Sequence, residues 1–201
     1  MLGCVVMAAG EGRRFSASGG AGGPGGKLLA DLGGVPLAVR TAASVPCGLF
    51  EPVVVTRWPA VAAAIRGSLS GVRTVEPTGP ARSDTVRAGL AEGAGSWGAC
   101  LFLPADQPLV AAASFEALVA AWRADPSRAY RLSRAGAPAS PVLFSAACFP
   151  ALRGLAGSEG GASILRAGAV GVGLVEALDP RELWDVDTVS DLERVRAAIG
   201  G

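Results

Sequence analysis

The sequence predicts a single α/β domain with a mainly parallel sheet, and three observations carry that reading. Short apolar runs alternate with stretches of helical periodicity, and the runs are apolar on both faces, as strands covered by helices on each side must be. The chain's most unusual residues stand just after those runs. At 201 residues it is long enough for one domain with a full core and short for two, so residues 1–201 are read as one unit.

Taken in order, the apolar runs are Leu2 to Ala9, Pro52 to Thr56, Val72 to Val75, Ala99 to Leu103, Pro141 to Phe144 and Val170 to Val175. The first lacks a preceding basic region and is too short to span a bilayer, so it reads as a buried strand. Helical spacing appears in Pro36 to Val45, Ala60 to Leu69, Asp84 to Ala91 and Ser114 to Ala124, with Pro36 suited to a first turn. A short helix follows at Ala162 to Ala167. The last helix, Thr188 to Ile199, has Leu192, Val195 and Ile199 on one face, with Asp191 placed to complete a capping box. Alternation of this kind means right-handed βαβ units, in which ligands bind at the strands' carboxyl ends. Segment Ser16 to Gly26 is low-complexity and predicts a flexible lid that orders when a ligand binds.

Composition narrows the chemistry. With 18 basic and 17 acidic residues, no bulk charge favours nucleic acid or an anionic membrane, and a cytoplasmic protein with a locally bound anion is expected. There are no histidines, which removes histidine triads, imidazole bases and most catalytic zinc sites. The cysteines, Cys4, Cys47, Cys100 and Cys148, lack zinc-like spacing and read as buried free thiols rather than disulfides.

Carboxylates, Lys and Arg must therefore do the work, and the loop after the first run holds them. Met7, Ala8, Ala9, Gly10, Glu11 and Gly12 put small residues where the backbone must approach a ligand, and exposed N–H groups there can cradle phosphate oxygens. Arg14 adds a forked cation and Lys27 a point charge. The loop lacks the third glycine of a dinucleotide fingerprint and the Gly-Lys-Ser/Thr of a P-loop. After the fourth run, Asp106 stands alone at a strand end between Pro104 and Pro108, placed either to bind Mg²⁺ or to close its own turn. Asp185 and Asp187 would share a strand face and approach one metal, or Asp187 would serve the last helix's N-terminus. Thr56 ends the second run and Glu76 follows the third, and Arg82 with Ser83 opens the next helix, Ser83 being the expected cap.

Met7 to Phe15, Lys27-Leu28-Leu29 and Leu32 to Leu37 together resemble the signature of the MobA-like NTP transferase family, in its molybdenum cofactor cytidylyltransferase branch. The resemblance implies a Rossmann-like fold of the nucleotide-diphospho-sugar transferase type, with a nucleotide half over about residues 1–110 and an acceptor half over 111–201. It implies nucleotide contacts at Met7 to Gly12, Lys27, Thr56, Glu76, Arg82 and Ser83, catalytic roles for Arg14, Lys27 and Asp106, and Mg²⁺ on Asp106 and Asp187. Ala-Ala-Gly and Lys-Leu-Leu favour CTP over GTP. The acceptor implied is a phosphorylated small molecule of the molybdopterin type, with a molybdenum hydroxylase as client. Arg82 to Val86 is also similar to methylerythritol phosphate cytidylyltransferase, a second reading, and a non-catalytic cofactor carrier or insertion chaperone is a third. Two departures stand out. Residues 15–26 lengthen the gap between Arg14 and Lys27, and Ser158, Glu159 and Ser163 replace the Asp, Lys and Arg of the family's acceptor loop.

Overall fold

A computed structural model of the chain describes residues 1–93 and 95–200. Its centre is a seven-stranded sheet, β1 (Leu2–Met7), β2 (Glu51–Val55), β3 (Arg73–Val75), β4 (Ala99–Pro104), β5 (Ala129–Arg134), β6 (Ala137–Ser145) and β7 (Val172–Glu176), in the order β3-β2-β1-β4-β6-β5-β7. Every neighbouring pair is parallel except those made by β6, which runs antiparallel to both β4 and β5. All six expected runs are strands. The seventh, β5, is hidden in sequence because Tyr-Arg-Leu-Ser-Arg alternates charge into an apolar pattern. It joins β6 through Ala135-Gly136, both at positive φ (49° and 77°), the geometry of a tight hairpin turn.

The helices are α1 (Arg13–Ala17), α2 (Leu37–Ala43), α3 (Pro59–Ser68), α4 (Arg82–Glu92), α5 (Ala112–Ala124), α6 (Phe149–Arg153), α7 (Gly161–Arg166) and α8 (Val189–Gly200). On one face of the sheet α2, α3 and α5 bury Ala38, Val39, Val61, Ile65, Phe115 and Leu118 against Val6, Val54 and Leu101. On the other, α4, α6 and α7 bury Val86, Leu90, Phe149, Leu152 and Ile164 against Val5, Val53, Phe102 and Phe144. A third cluster, Phe15, Leu32, Leu37, Val186, Leu192 and Val195, fastens α1 and α8 to the segment before α2. Each face therefore removes apolar surface from water, at roughly 25 cal/mol per Å², and the strands are apolar on both sides because both are covered.

Three expectations need correction. Helix α4 is capped by Ala81, whose N–H donates to the Asp84 carboxylate at 2.9 Å; Ser83 sits one residue inside the helix, because Asp84 reaches back better than Ser83 reaches forward. Pro36 precedes α2 and does not lie in its first turn. Cys47 is exposed while Cys4, Cys100 and Cys148 are buried, all four as free thiols. The expected capping box at α8 is present: Thr188 N–H donates to Asp191 at 2.9 Å, and Asp191 N–H to the Thr188 hydroxyl at 3.2 Å. No described helix is long and apolar enough to cross a membrane.

Candidate active site

At the carboxyl ends of β1 and β4, residues far apart in sequence converge on one ammonium group. Lys27 Nζ donates to Asp106 Oδ2 at 2.5 Å and to Asp187 Oδ1 at 3.1 Å, while Arg14 Nη1 lies 2.8 Å from Asp187 Oδ2. Gly12 makes room for this approach: at φ 65°, a Cβ there would lie 2.9 Å from Lys27 Cβ. Burial disfavours the charged form of Lys27, but the Asp106 and Asp187 carboxylates outweigh it and hold the ammonium above its ordinary pKa.

Both carboxylates face the cluster and not their own backbone. The Asp106 side chain takes no part in its turn, and its carbonyl instead accepts Val186 N–H at 3.0 Å, binding the β4 loop to the approach to α8. Asp191 serves the N-terminus of α8, which leaves the Asp187 carboxylate for Lys27 and Arg14. Two oxygens bonded to one nitrogen are a donor set for a hard cation, and magnesium takes one or two carboxylates together with water and phosphate oxygens. Asp185 lies near enough to feel the charges of both, yet among the described residues no group of three acidic or ligating side chains stands close enough to hold a metal. Its carboxyl is pushed up to about 6 by burial and by the negative charge of Asp106, against the pull of the Gln107 amide and Lys27.

The loop from Met7 to Gly12 is held from the side. Trp58 Nε1 donates to the Gly10 carbonyl at 3.1 Å, Arg57 Nη2 reaches Glu11 Oε1 at 3.1 Å, and the Arg57 guanidinium lies 4.4 Å over the Trp58 ring. Glu11 thus turns its carboxylate to Arg57 and Arg13, whose bonds lower its pKa, and offers a ligand only its backbone. Among the described residues the N–H groups of Gly10, Glu11 and Gly12 have no protein partner. Sequence reading marked Arg57 only as a residue after a strand, without a role, and missed Trp58. Their signal, a cation and an aromatic directly after a strand, is also that of an ordinary surface turn.

The remaining expected residues divide. Thr56 and Glu76 line a cleft of about 310 Å³ with Arg57, Trp58, Arg66 and Thr74, beside the loop at the sheet's β3 edge and away from the carboxylate pair; the Thr56 hydroxyl accepts Trp58 N–H at 3.1 Å. Arg82 and Ser83 stand at the start of α4. Ser83 is fully buried, its N–H donates to Gly157 O at 3.2 Å, and among the described residues its hydroxyl has no partner.

Residues 4–172 match the MobA-like NTP transferase domain. The chain belongs to that family. That domain is of a nucleotidyltransferase family whose members bind a nucleoside triphosphate and a phosphorylated acceptor and commonly use a divalent metal. It is 40% identical over 110 residues to purine catabolism protein PucB of Bacillus subtilis, covering 54% of this chain and 52% of that one. It is 39% identical over 133 residues to the bifunctional enzyme IspD/IspF of Clavibacter michiganensis, covering 62% and 31%. The chain thus spans about half the length of the first curated relative and about a third of the second. A solved nucleotidyl transferase from Methanothermobacter thermautotroptrophicus superposes with a TM-score of 0.78 at 26% identity, covering 98% of this chain and 97% of that one.

Proposed function

We propose that this MobA-like protein transfers CMP from CTP to a phosphorylated acceptor of the molybdopterin type and releases pyrophosphate, the product passing to a molybdenum hydroxylase. The convergence of Lys27, Asp106, Asp187 and Arg14 at one point carries this reading. The backbone from Met7 to Gly12 grips the triphosphate, with Thr56, Glu76, Arg82 and Ser83 around the nucleotide. An acceptor phosphate oxygen forms a bond to the α-phosphorus as the α–β bridging bond breaks, and that electron pair leaves on pyrophosphate. Arg14 and Lys27 take up the charge on the leaving group, and the loop's N–H groups are fixed before reaction, so little reorganisation is needed. Asp106 and Asp187 would hold Mg²⁺, which when bound would supply charge neutralisation on the phosphates. An acceptor phosphate is already ionised, so no histidine base is required.

Cytidylyl transfer to methylerythritol phosphate is the second reading, favoured by the segment Arg82 to Val86 and by the partial match to an IspD/IspF enzyme. The assembled cation and carboxylate cluster speaks against a carrier without catalysis. Pyrophosphate release from CTP or GTP, with each acceptor and with Mg²⁺ or EDTA, separates the readings. Release is expected with CTP and molybdopterin, and Asp106→Ala is expected to lower it by roughly a hundredfold or more. Turnover with methylerythritol phosphate alone transfers the assignment to the second reading, and no release with any pair of substrates leaves the carrier.

A further inference from the structure

The Lys27 ammonium lies 2.5 Å from Asp106 Oδ2 and 3.1 Å from Asp187 Oδ1, and those two oxygens are the donor pair that suits a divalent cation. One point between two carboxylates cannot hold an ammonium and a metal together, because two cations at that range repel strongly in a partly buried site. The cluster is already balanced in charge. Lys27 and Arg14 match Asp106 and Asp187, so bare Mg²⁺ would bring two positive charges to a neutralised pair.

The residue type fits a movable counter-ion. Among the chain's 18 basic residues Lys27 is the one lysine, and all the others are arginine. A guanidinium locks onto a carboxylate through a planar fork, whereas an ammonium is a point charge on a flexible stem, with three donors that can change partners singly. Exposure separates the two cations of the cluster: the Arg14 side chain is 77% exposed and that of Lys27 is 10% exposed. Arg14 can leave Asp187 for water. Lys27 can leave its carboxylates only for another anion inside the site.

The course of the stem shows where that anion lies. A Cβ at Gly12 would be 2.9 Å from Lys27 Cβ, 3.6 Å from Cδ and 3.8 Å from Cγ, so the side chain runs along the Met7 to Gly12 loop before it reaches the carboxylates. Phosphate oxygens held by the N–H groups of Gly10 to Gly12 would lie beside it. Leu28, 4% exposed, fixes the adjoining backbone, so rotation about the stem is enough to carry the ammonium from carboxylate to phosphate.

We infer that Lys27 is the resident counter-ion of the metal site: it closes the Asp106 and Asp187 pair until a triphosphate on the Met7 to Gly12 loop draws it away, so divalent metal enters with nucleotide and not before it. The inference rests on the proposed metal site. Two measurements test it. In the first, electron paramagnetic resonance follows free Mn²⁺ as it is titrated into wild type, Lys27→Met and Arg14→Met without nucleotide. Removing the ammonium is expected to tighten Mn²⁺ binding about 10-fold or more, and removing the exposed guanidinium by no more than about threefold. Equal Mn²⁺ affinity in wild type and Lys27→Met overturns the inference; no Mn²⁺ binding to either, alone or with nucleotide, removes the metal site and the inference with it. In the second, wild type labelled with 15N-lysine gives one side-chain ammonium signal, that of Lys27. Millimolar Mg²⁺ alone is expected to leave the signal in place, and Mg²⁺ with α,β-methylene CTP or its guanosine counterpart to shift it. A shift with Mg²⁺ alone, or none with either nucleotide, refutes the inference. A shift with the guanosine compound alone supports it and changes only the choice of base.

Discussion

Replacing Lys27 with methionine keeps the length of the side chain and removes its charge, leaving Asp106 and Asp187 facing each other. Both oxygens bond one nitrogen, at 2.5 and 3.1 Å, so they stand no more than about 5.6 Å apart, the sum of the two distances. The aspartate side chains are 23% and 25% exposed, which argues for an effective dielectric near 20. Two unit charges at that separation then repel by about 3 kcal/mol. For a chain of this size that is a fall of roughly 6–12 °C in melting temperature in EDTA. Millimolar Mg²⁺ should return most of it to Lys27→Met and add less to wild type, where the ammonium already neutralises the pair. Pyrophosphate release should stay low in the variant even with Mg²⁺, since a cation on the leaving group is gone. Thermal melts of both proteins in EDTA and in Mg²⁺ make the comparison. Equal Mg²⁺ shifts in the two proteins, or none in the variant, would refute the view that these carboxylates form a cation site.

Phe15→Ala removes a ring only 2% exposed and should cost about 3–5 kcal/mol in urea denaturation, with weaker CTP binding because Arg14 rides on the same short helix. A loss under about 1 kcal/mol would mean that the third cluster does not anchor α1. Trp58→Phe deletes the bond to Gly10 O and should raise CTP KM severalfold, about 1 kcal/mol, with kcat nearly unchanged; unaltered KM would show that the loop holds its shape without the strap. Bonds from Ser133 and Ala135 hold the Glu176 carboxyl below its usual pKa of 4.5, so its contribution is present above that value and lost as pH falls through the lowered one. The stability gap between wild type and Glu176→Gln should therefore close in acid melts below pH 4.5, and a gap that stays constant would remove Glu176 as its source.

How far the site could be read depended on how local its signals are. Met7 to Arg14 is contiguous, and Asp106 ends a strand in a parallel sheet, so a short window shows both. Asp187 was legible only as one of two options. The choice turns on Asp191 taking the helix N-terminus, a competition between neighbouring carboxylates that geometry decides. Ser83 failed as a cap for the same reason, because Asp84 competed and won. Strand β5 escaped because Arg131 breaks its apolar pattern. The pairing of Lys27 with Asp106 spans 79 positions and has no local trace.

The long interval between Arg14 and Lys27 illustrates how an insertion survives at a charged site. The expectation of a loose lid over the whole of Ser16 to Gly26 gives way to a segment folded at both ends. Gly20 N–H donates to Phe15 O at 3.1 Å, Gly26 N–H to Gly23 O at 3.1 Å, and Ser18 Oγ accepts Val189 N–H at 3.0 Å. Doubling a loop costs only about 0.6 kcal/mol in closure entropy, whereas burying a phenylalanine gives back about 1.5–3 kcal/mol, so the longer path is thermodynamically easy. The bond to Val189 does more than close the loop. Val189 begins α8 two residues after Asp187, so the inserted segment grips the backbone that presents the second carboxylate to Lys27. Lengthening the chain here therefore did not loosen the cluster; it added a contact beside Asp187, while Ser16 to Gly19 and Ala21 to Pro24 stay exposed.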